Sequence, residues 1–338
     1  MPTSTQTQTI AVLGAGAWGT ALAIQVARNG HRVLLWGRRR EHIEAVTAHR
    51  CNAHYLPDVP LPRGLEPCFE LAAALASASM VLLSVPSSAF RQMLRDIAAH
   101  PPGAGRLLWT TKGLETRSGK LLHEVANEEL PAGWLTGLVS GPSFAAEVAH
   151  GLPTAVTVAA EDNEFARQAV VLLHNDTFRV YTSTDVVGVE LGGALKNVLA
   201  IAAGISDGLG FGSNARAALI TRGLSEMLRL SERSGAQRDT LVGLSGLGDL
   251  LLTSTDDQSR NRRLGLALGR GRPLEAALKE VDRTVEGVAT ASVILRFARA
   301  LDVEMPICEQ VARVLFEGLD PRAAVTELMS RESKMEIR

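Results

Sequence analysis

The segment Ile10-Ala11-Val12-Leu13-Gly14-Ala15-Gly16-Ala17-Trp18-Gly19-Thr20-Ala21-Leu22-Ala23 constrains the fold more than any other stretch of the chain. An apolar run enters G-x-G-x-x-G, and a helical pattern leaves it. A strand that turns on glycine straight into a helix is the first half of a βαβ unit. Gly14 permits the tight turn. Gly16 lets backbone approach a pyrophosphate at the helix N-terminus, and Gly19 allows close helix–strand packing. The spacing alone is weak evidence, and its plain alternative is a Gly-rich βα turn. At the head of an alternating α/β half it reads as a dinucleotide site.

That alternation is present. Short apolar runs at 9–13, 33–36, 80–85, 107–110, 138–140 and 155–159 are expected strands, with 179–181 as one more. Helical stretches such as 20–29 and 88–99 separate them, and Gly30 suits the left-handed position that ends the first helix. After Asp185 the strand-like runs nearly vanish. Helices are expected at 192–205, 215–235, 259–269, 274–281, 290–301 and 306–318. Asp320-Pro321 reads as an N-cap with proline at the first helical position, with Val325, Leu328 and Met329 on one face. The expected fold class is α/β, a doubly wound sheet followed by an all-α domain. Residues 1–189 would bind the dinucleotide and residues 190–338 would carry substrate and catalysis. With no low-complexity linker between them, the two should pack tightly.

The composition narrows the class. The chain of 338 residues is 46% hydrophobic and 21% charged, with a formal net charge of −1. This is the mix of a globular enzyme, and it argues against nucleic acid or an anionic membrane as partner. Cys51, Cys68 and Cys308 have no C-x-x-C spacing, and the histidines form no metal-like cluster, so neither a disulfide framework nor a metal is expected. Residues 1–9 are polar and lack the pattern of a signal peptide. No apolar run approaches the ~18–20 residues of a spanning helix, the longest being 198–205. A cytoplasmic location without membrane insertion is the expectation.

Lys196 is the clearest candidate for chemistry. It is the only charge between Glu190 and Asp207, among small and aliphatic side chains. Burying an ammonium is costly unless it is paired or its pKa falls, so such a lysine can exchange a proton near neutral pH. The plain alternative is a lysine whose head snorkels out of an apolar helix. Strand ends supply further candidates: Ser84-Val85-Pro86-Ser87, Thr110-Thr111-Lys112-Gly113, and Ser140-Gly141-Pro142-Ser143-Phe144-Ala145. At the carboxyl edge of a doubly wound sheet they would line the cofactor crevice. Arg38 and Arg39 follow the second strand, where an NAD site carries an acidic residue. Arginine there suits a 2′-phosphate, so NADP(H) is favoured, with NAD(H) also open. In the helical half Asp249 sits among glycines and leucines. Ser259-Arg260-Asn261-Arg262-Arg263 then opens a helix with arginines, which oppose the macrodipole unless an anion binds there.

Together these residues resemble the bacterial-type NAD(P)-dependent glycerol-3-phosphate dehydrogenases. The resemblance runs from the glycine fingerprint through Asn52-Ala53-His54-Tyr55-Leu56-Pro57, Thr111-Lys112-Gly113-Leu114, Glu190-Leu191-Gly192-Gly193-Ala194-Leu195-Lys196-Asn197 and Ser259-Arg260-Asn261-Arg262-Arg263 to Glu304-Met305-Pro306-Ile307. It implies a Rossmann-type domain followed by an all-α domain. It also implies reduction of dihydroxyacetone phosphate to sn-glycerol 3-phosphate, a supply for phospholipid synthesis. Lys196 matches the catalytic lysine. Lys112, Gly141, Ser143, Asp249, Ser259, Arg260 and Asn261 match substrate-contacting positions. Gly14, Gly16 and Gly19 with Ala17, Trp18, Arg38, Arg39, Lys112, Ala145, Arg260 and Glu286 match cofactor-contacting ones. The implied partner is a small phosphorylated substrate, and a homodimer is left open. The chain departs from the family pattern at Asp256-Asp257, where members more often carry small polar residues. Two rival readings keep the fold: a reductase of another small phosphorylated or hydroxy-acid compound, and an NADP(H) sensor with no need of Lys196.

Overall fold

The computed structural model describes residues 7–281 and 284–332, so the outermost parts of the polar N-terminus and of the last expected helical stretch lie outside the described residues. The first half is built from β1 (Thr9–Leu13), α1 (Ala17–Arg28), β2 (Arg32–Trp36), α2 (Arg40–His49), β3 (Leu65–Cys68), α3 (Leu71–Ala76), β4 (Met80–Leu83) and α4 (Ser87–Ala99). It continues through β5 (Arg106–Trp109), α5 (Leu122–Glu129), β6 (Leu135–Ser140), α6 (Ala145–His150), β7 (Thr154–Ala160), α7 (Asn163–Leu173) and β8 (Phe178–Ser183).

The strands form one sheet in the order β3-β2-β1-β4-β5-β6-β7-β8, parallel throughout except for the β6–β7 pair. Both faces are covered. Ile10 and Val12 of β1 face one apolar cluster with Leu35 and Phe165, while Ala11 and Leu13 face another with Phe90 and Trp109. This two-residue alternation between two buried faces explains why the strand reads as a continuous apolar run. The order reverses direction between β1 and β4, so a crevice opens at the carboxyl ends of those strands. β3 escaped the sequence reading. It is four residues long, contains Pro67 and lies at the sheet edge, where a missing N–H is tolerated.

The second half is helical, with α8 (Val186–Gly208) at its centre. Asp185 caps α8 by accepting from the Gly188 N–H at 2.9 Å and also accepts from the Gln237 N–H at 2.8 Å. The expected division at 189/190 therefore falls just inside this helix. At 23 residues and a mean hydropathy of 1.5, α8 is long and apolar enough to cross a membrane, contrary to the run count from sequence. It is a core helix here, since 94% of the residues in that apolar window are buried inside the protein. Around it pack α9 (Gly212–Arg233), α10 (Arg238–Val242), a π-helical turn (Leu244–Gly248) and α11 (Asp249–Thr255). Next come α12 (Arg260–Gly269), α13 (Leu274–Val281), α14 (Glu286–Ala300), α15 (Pro306–Phe316) and α16 (Pro321–Met329).

Glycine lets α8 and α12 touch backbone to backbone. A Cβ on Gly204 would lie 2.9 Å from the Gly265 Cα, and one on Gly208 would lie 2.9 Å from the Gly269 Cα. This close approach presses the first turn of α12 against the middle of α8. At the end of the chain, Asp320 caps α16 as expected, accepting from the Arg322 and Ala323 N–H groups. Of the expected packing face, Leu328 packs against the helical core and Val325 is half-buried beside buried Ala324, whereas Met329 is 81% exposed, turned outward at the last helical position.

Candidate active site

The glycine loop has the backbone geometry its spacing implies. Gly14 has φ +119°, a region that favours glycine, and its N–H donates to the Trp36 carbonyl at 2.9 Å. A Cβ on Gly14 would collide with the Ser84 carbonyl at the end of β4, and one on Gly19 would collide with the Gly14 carbonyl. By contrast a Cβ on Gly16 meets no atom within 4 Å, and no side chain caps α1. The first turn of α1, with Ala17 and Trp18 half-buried, thus presents open N–H groups to an anion. These features fit a dinucleotide diphosphate. Arg38 and Arg39 project from the turn after β2, both exposed and with neither side chain bonded or ion-paired to another described residue.

The ends of β4, β5 and β6 converge on the helical half. Thr111 Oγ1 donates to the Val85 carbonyl at 2.7 Å, joining two of the loops. A Cβ on Gly113 would lie 3.4 Å from Thr290 Oγ1 of α14. A Cβ on Gly193 of α8 would lie 3.0 Å from Ser140 Oγ and 3.5 Å from Lys112 Cγ. Pro142 packs beside Gly248 of the π-helical turn, and Ser143 Oγ donates to the Gly141 carbonyl at 3.0 Å. Ala145 begins α6 directly after this loop.

At this junction two lysines share one carboxylate. Asp249, at the start of α11 and 1% exposed, accepts from Lys112 Nζ through Oδ2 at 2.6 Å and from Lys196 Nζ through Oδ1. Lys196 Nζ also donates to Thr253 Oγ1 at 3.0 Å. The other charges of α8 are engaged elsewhere. Glu190 accepts from His123 Nδ1 at 2.6 Å, and Asp207 accepts from Arg216 at 3.0 Å and Arg262 at 2.7 Å. Asp249 is therefore the counter-charge of Lys196, and it is divided between two ammonium groups. Burial pulls Lys196 down to about 7, with the repelling Lys112 charge cancelling part of the help from Asp249. Burial also works against the Lys112 charge, but the Asp249 carboxylate holds that lysine above its ordinary value. Burial pushes Asp249 up, yet the two lysines together outweigh it and hold the carboxyl below its usual range. The three groups titrate as a unit in which Lys196 is the labile member.

Asn197, next to Lys196, ties this centre to α12. Its Oδ1 accepts from Asn261 Nδ2 at 2.9 Å, and its Nδ2 donates to Glu286 Oε2 at 3.4 Å. Asn261 Oδ1 accepts from the Gly287 N–H at 2.9 Å. Ser259 caps α12 by accepting from the Arg262 N–H at 3.2 Å. Arg260 stands at the first position of α12 and donates to the Thr284 carbonyl at 2.8 Å. The arginines that looked alike in sequence are thereby separated. Arg262 is buried and bound to Asp207 and Asp257, so it is structural, and Asp257 acquires the same structural part. Arg260 stays beside the site. Thr253 and Asn197 were not singled out from sequence. The signal for Thr253 is its i+4 spacing from Asp249, which puts both on one helix face.

A nucleotide-binding sheet, an open helix N-terminus and a lysine with a lowered pKa at the sheet's carboxyl edge define a nicotinamide-dependent oxidoreductase. Family models assign the particular kind. Residues 9–166 match the NAD-dependent glycerol-3-phosphate dehydrogenase N-terminus, and residues 185–326 match the C-terminus of the same family. The chain belongs to that family. It is 58% identical to glycerol-3-phosphate dehydrogenase [NAD(P)+] of Thioalkalivibrio sulfidiphilus over 328 residues, covering 97% of this chain and 98% of the relative. It is 57% identical to the Nitrosococcus oceani protein of the same name over 325 residues, covering 96% and 94%. The crystal structure of glycerol-3-phosphate dehydrogenase from Coxiella burnetii superposes with a TM-score of 0.93 at 46% identity, covering 96% of this chain and 99% of that one.

Proposed function

We propose that this protein catalyses the reversible reduction of dihydroxyacetone phosphate to sn-glycerol 3-phosphate, and that Lys196 is its proton donor. One observation carries the assignment of Lys196: a buried lysine with a pKa near 7 shares its counter-charge, Asp249, with Lys112. When bound, a reduced nicotinamide would supply the hydride that the C2 carbonyl accepts. The chain's own residues do the rest. Lys196 in its charged form gives a proton to the developing C2 alkoxide, and Asp249 and Thr253 hold its Nζ in place before and after transfer. Lys112 keeps its charge and stabilises substrate oxygens. In the reverse direction neutral Lys196 takes the proton from the C2 hydroxyl.

The N-terminus of α12 receives the substrate phosphate through its unpaired N–H groups and Arg260, with Ser259 and Asn261 framing it. Gly141 and Ser143 close the opposite wall. The glycine loop, Ala17, Trp18, Ala145 and Glu286 line the cofactor. Arg38 and Arg39 favour NADP(H), because their charge is permanent and unpaired among the described residues. On this reading residues 1–189 hold the dinucleotide, residues 190–338 supply substrate contacts and the acid, and the protein works in the cytoplasm upstream of phospholipid synthesis.

The test is consumption of NADPH and NADH with dihydroxyacetone phosphate, and with unphosphorylated dihydroxyacetone alongside. Turnover requiring the phosphate is expected. Folded protein that turns over neither cofactor with dihydroxyacetone phosphate overturns the assignment.

A further inference from the structure

The block at Asn52–Pro57 has no part in the chemistry described so far, yet Asn52 is completely buried, at 0% exposure. Its Nδ2 donates to the Ala15 carbonyl at 3.1 Å and to Thr20 Oγ1 at 2.8 Å. Its Oδ1 is buried without a partner. Turning the amide over would set two oxygens, Asn52 Oδ1 and Ala15 O, face to face, so the donor orientation stands although it leaves one oxygen unsatisfied. The Asn52 backbone is itself fixed, its carbonyl accepting from the Tyr55 and Leu56 N–H groups at 3.0 and 2.8 Å.

His42 makes a second contact to the same carbonyl. Its Nε2 lies 3.3 Å from Ala15 O. A carbonyl only accepts, so Nε2 carries the proton. Burial holds the pKa of His42 below the ordinary histidine value, which keeps the ring neutral at pH 7. The ring is packed edge-on against Tyr55 and His54, with centroids 5.5 and 6.1 Å away.

Two donors on the Ala15 carbonyl fix one peptide plane. In a trans peptide the C=O and the following N–H point in opposite directions, and no peptide bond among the described residues is cis. Holding the Ala15 carbonyl from the side of Asn52 and His42 therefore directs the Gly16 N–H away from them. That N–H has no acceptor among the described residues.

We propose that Asn52, assisted by His42, is a positioning residue that aims the Gly16 N–H at the diphosphate of the nicotinamide cofactor. The proposal rests on the reading that the N-terminus of α1 receives that diphosphate. It predicts a loss of cofactor affinity blind to the 2′-phosphate, because the diphosphate is common to both cofactors.

The experiment is equilibrium binding of NADH, NADPH, ADP-ribose and AMP to the full chain carrying Asn52→Leu or His42→Phe. Leucine keeps the branched shape of Asn52, though not its smaller volume, and removes both donated bonds, and phenylalanine keeps the ring packing of His42. For Asn52→Leu the Kd of NADH, NADPH and ADP-ribose should rise together by about tenfold, the worth of one well-aimed hydrogen bond. His42→Phe should give a smaller rise of the same pattern. AMP, which lacks the second phosphate, should be affected least. At saturating cofactor kcat and the KM for dihydroxyacetone phosphate should stay within about twofold, since these steps do not use the loop. Unchanged Kd values in folded variants overturn the proposal, as does an equal loss for AMP. If Asn52→Leu does not fold, His42→Phe decides alone. Gly16→Val tests the underlying reading separately: a variant that keeps full NADH affinity would show that the diphosphate lies elsewhere.

Discussion

The two halves of the site recognise their ligands by opposite means. The glycine loop of the first half offers backbone: Gly14 and Gly19 sit where any Cβ would strike a carbonyl, and Gly16 faces open space. The helical half offers buried side chains, with Lys196, Asp249 and Thr253 bonded to one another and nearly shut off from water. A backbone site works by geometry that is fixed before any ligand arrives. A side-chain site of this kind works by charge that burial has made costly and therefore labile. The difference assigns distinct failures to the two halves. Damage to the first should cost affinity, and damage to the second should cost rate.

The largest expected effect lies in the second half. Lys196→Ala should lower kcat by about 10²- to 10⁴-fold, the usual worth of general acid catalysis. Cofactor Kd should stay unchanged, and a matching loss of cofactor affinity would break the comparison. The pH profile sharpens it. Lys196 is held near pKa 7 by burial, so its proton is present below that pH and absent above. The reductive kcat should fall as pH rises through about 7, while the oxidative kcat should rise over the same interval. Because the trio with Lys112 and Asp249 titrates as a unit, Lys112→Met should move this midpoint upward by removing the repelling charge. A midpoint that stays in place would show that the limb belongs to another group.

The next effect is on folding. Gly265 of α12 faces Gly204 of α8, and its Cβ would lie 2.9 Å from the Gly204 Cα. Gly265→Val forces the helices apart and should destabilise the protein by about 3 kcal/mol, the upper end of overpacking costs. The first turn of α12 should move with it, so the KM for dihydroxyacetone phosphate should rise more than the KM for the cofactor. Equal rises would mean that α12 does not carry the phosphate.

The same contrast governs how much was legible in sequence. Backbone recognition needs glycine at fixed spacing, and the strand–loop–helix could be read directly from residues 10–23. A lone lysine in an apolar run announced itself by its cost. What joins the site was not legible in local pattern, because it is long-range. Lys112 and Asp249, brought to one site only by the family resemblance, are 137 residues apart, and Asn197 and Asn261 are 64 apart. Nothing local distinguishes Asn197 from any helix-borne asparagine. Composition likewise failed to separate Arg260 from Arg262, since only the fold brings Asp207 to the latter. The glycine pairs of α8 and α12 were visible as glycines but had no partner to be assigned until the helices were packed.

Cofactor choice probes the edge of the backbone half. Arg38 and Arg39 are exposed side chains beside a backbone site, so they can add selectivity without altering the diphosphate contacts. Replacing both with alanine should weaken NADPH binding by roughly 1.5–3 kcal/mol for each charge-assisted hydrogen bond to the 2′-phosphate, and leave NADH binding nearly unchanged. The NADPH preference of the parent protein should shrink with added salt, as expected for exposed charges. Equal effects on the two cofactors would mean these arginines do not read the 2′-phosphate.

The smallest effect concerns Asp257. Its carboxylate pairs with Arg262, but its side chain is 76% exposed, whereas that of Asp207, the other partner of Arg262, is 9% exposed. An exposed partner adds about 0–1 kcal/mol, because water screens the pair. Removing the buried one leaves a buried guanidinium with only its water-screened partner and costs more. Asp257→Ala should therefore lower Tm only slightly and change the KM for dihydroxyacetone phosphate by less than about twofold. Asp207→Ala should lower Tm clearly further and loosen the start of α12. Arg262 serves the fold rather than the substrate on this account. If Asp257→Ala instead lowered the substrate KM severalfold, the guanidinium it released would have reached the phosphate. Arg262 would then belong with Arg260 in the anion site, and the helical half would hold a reserve cation that its ion pairs keep in check.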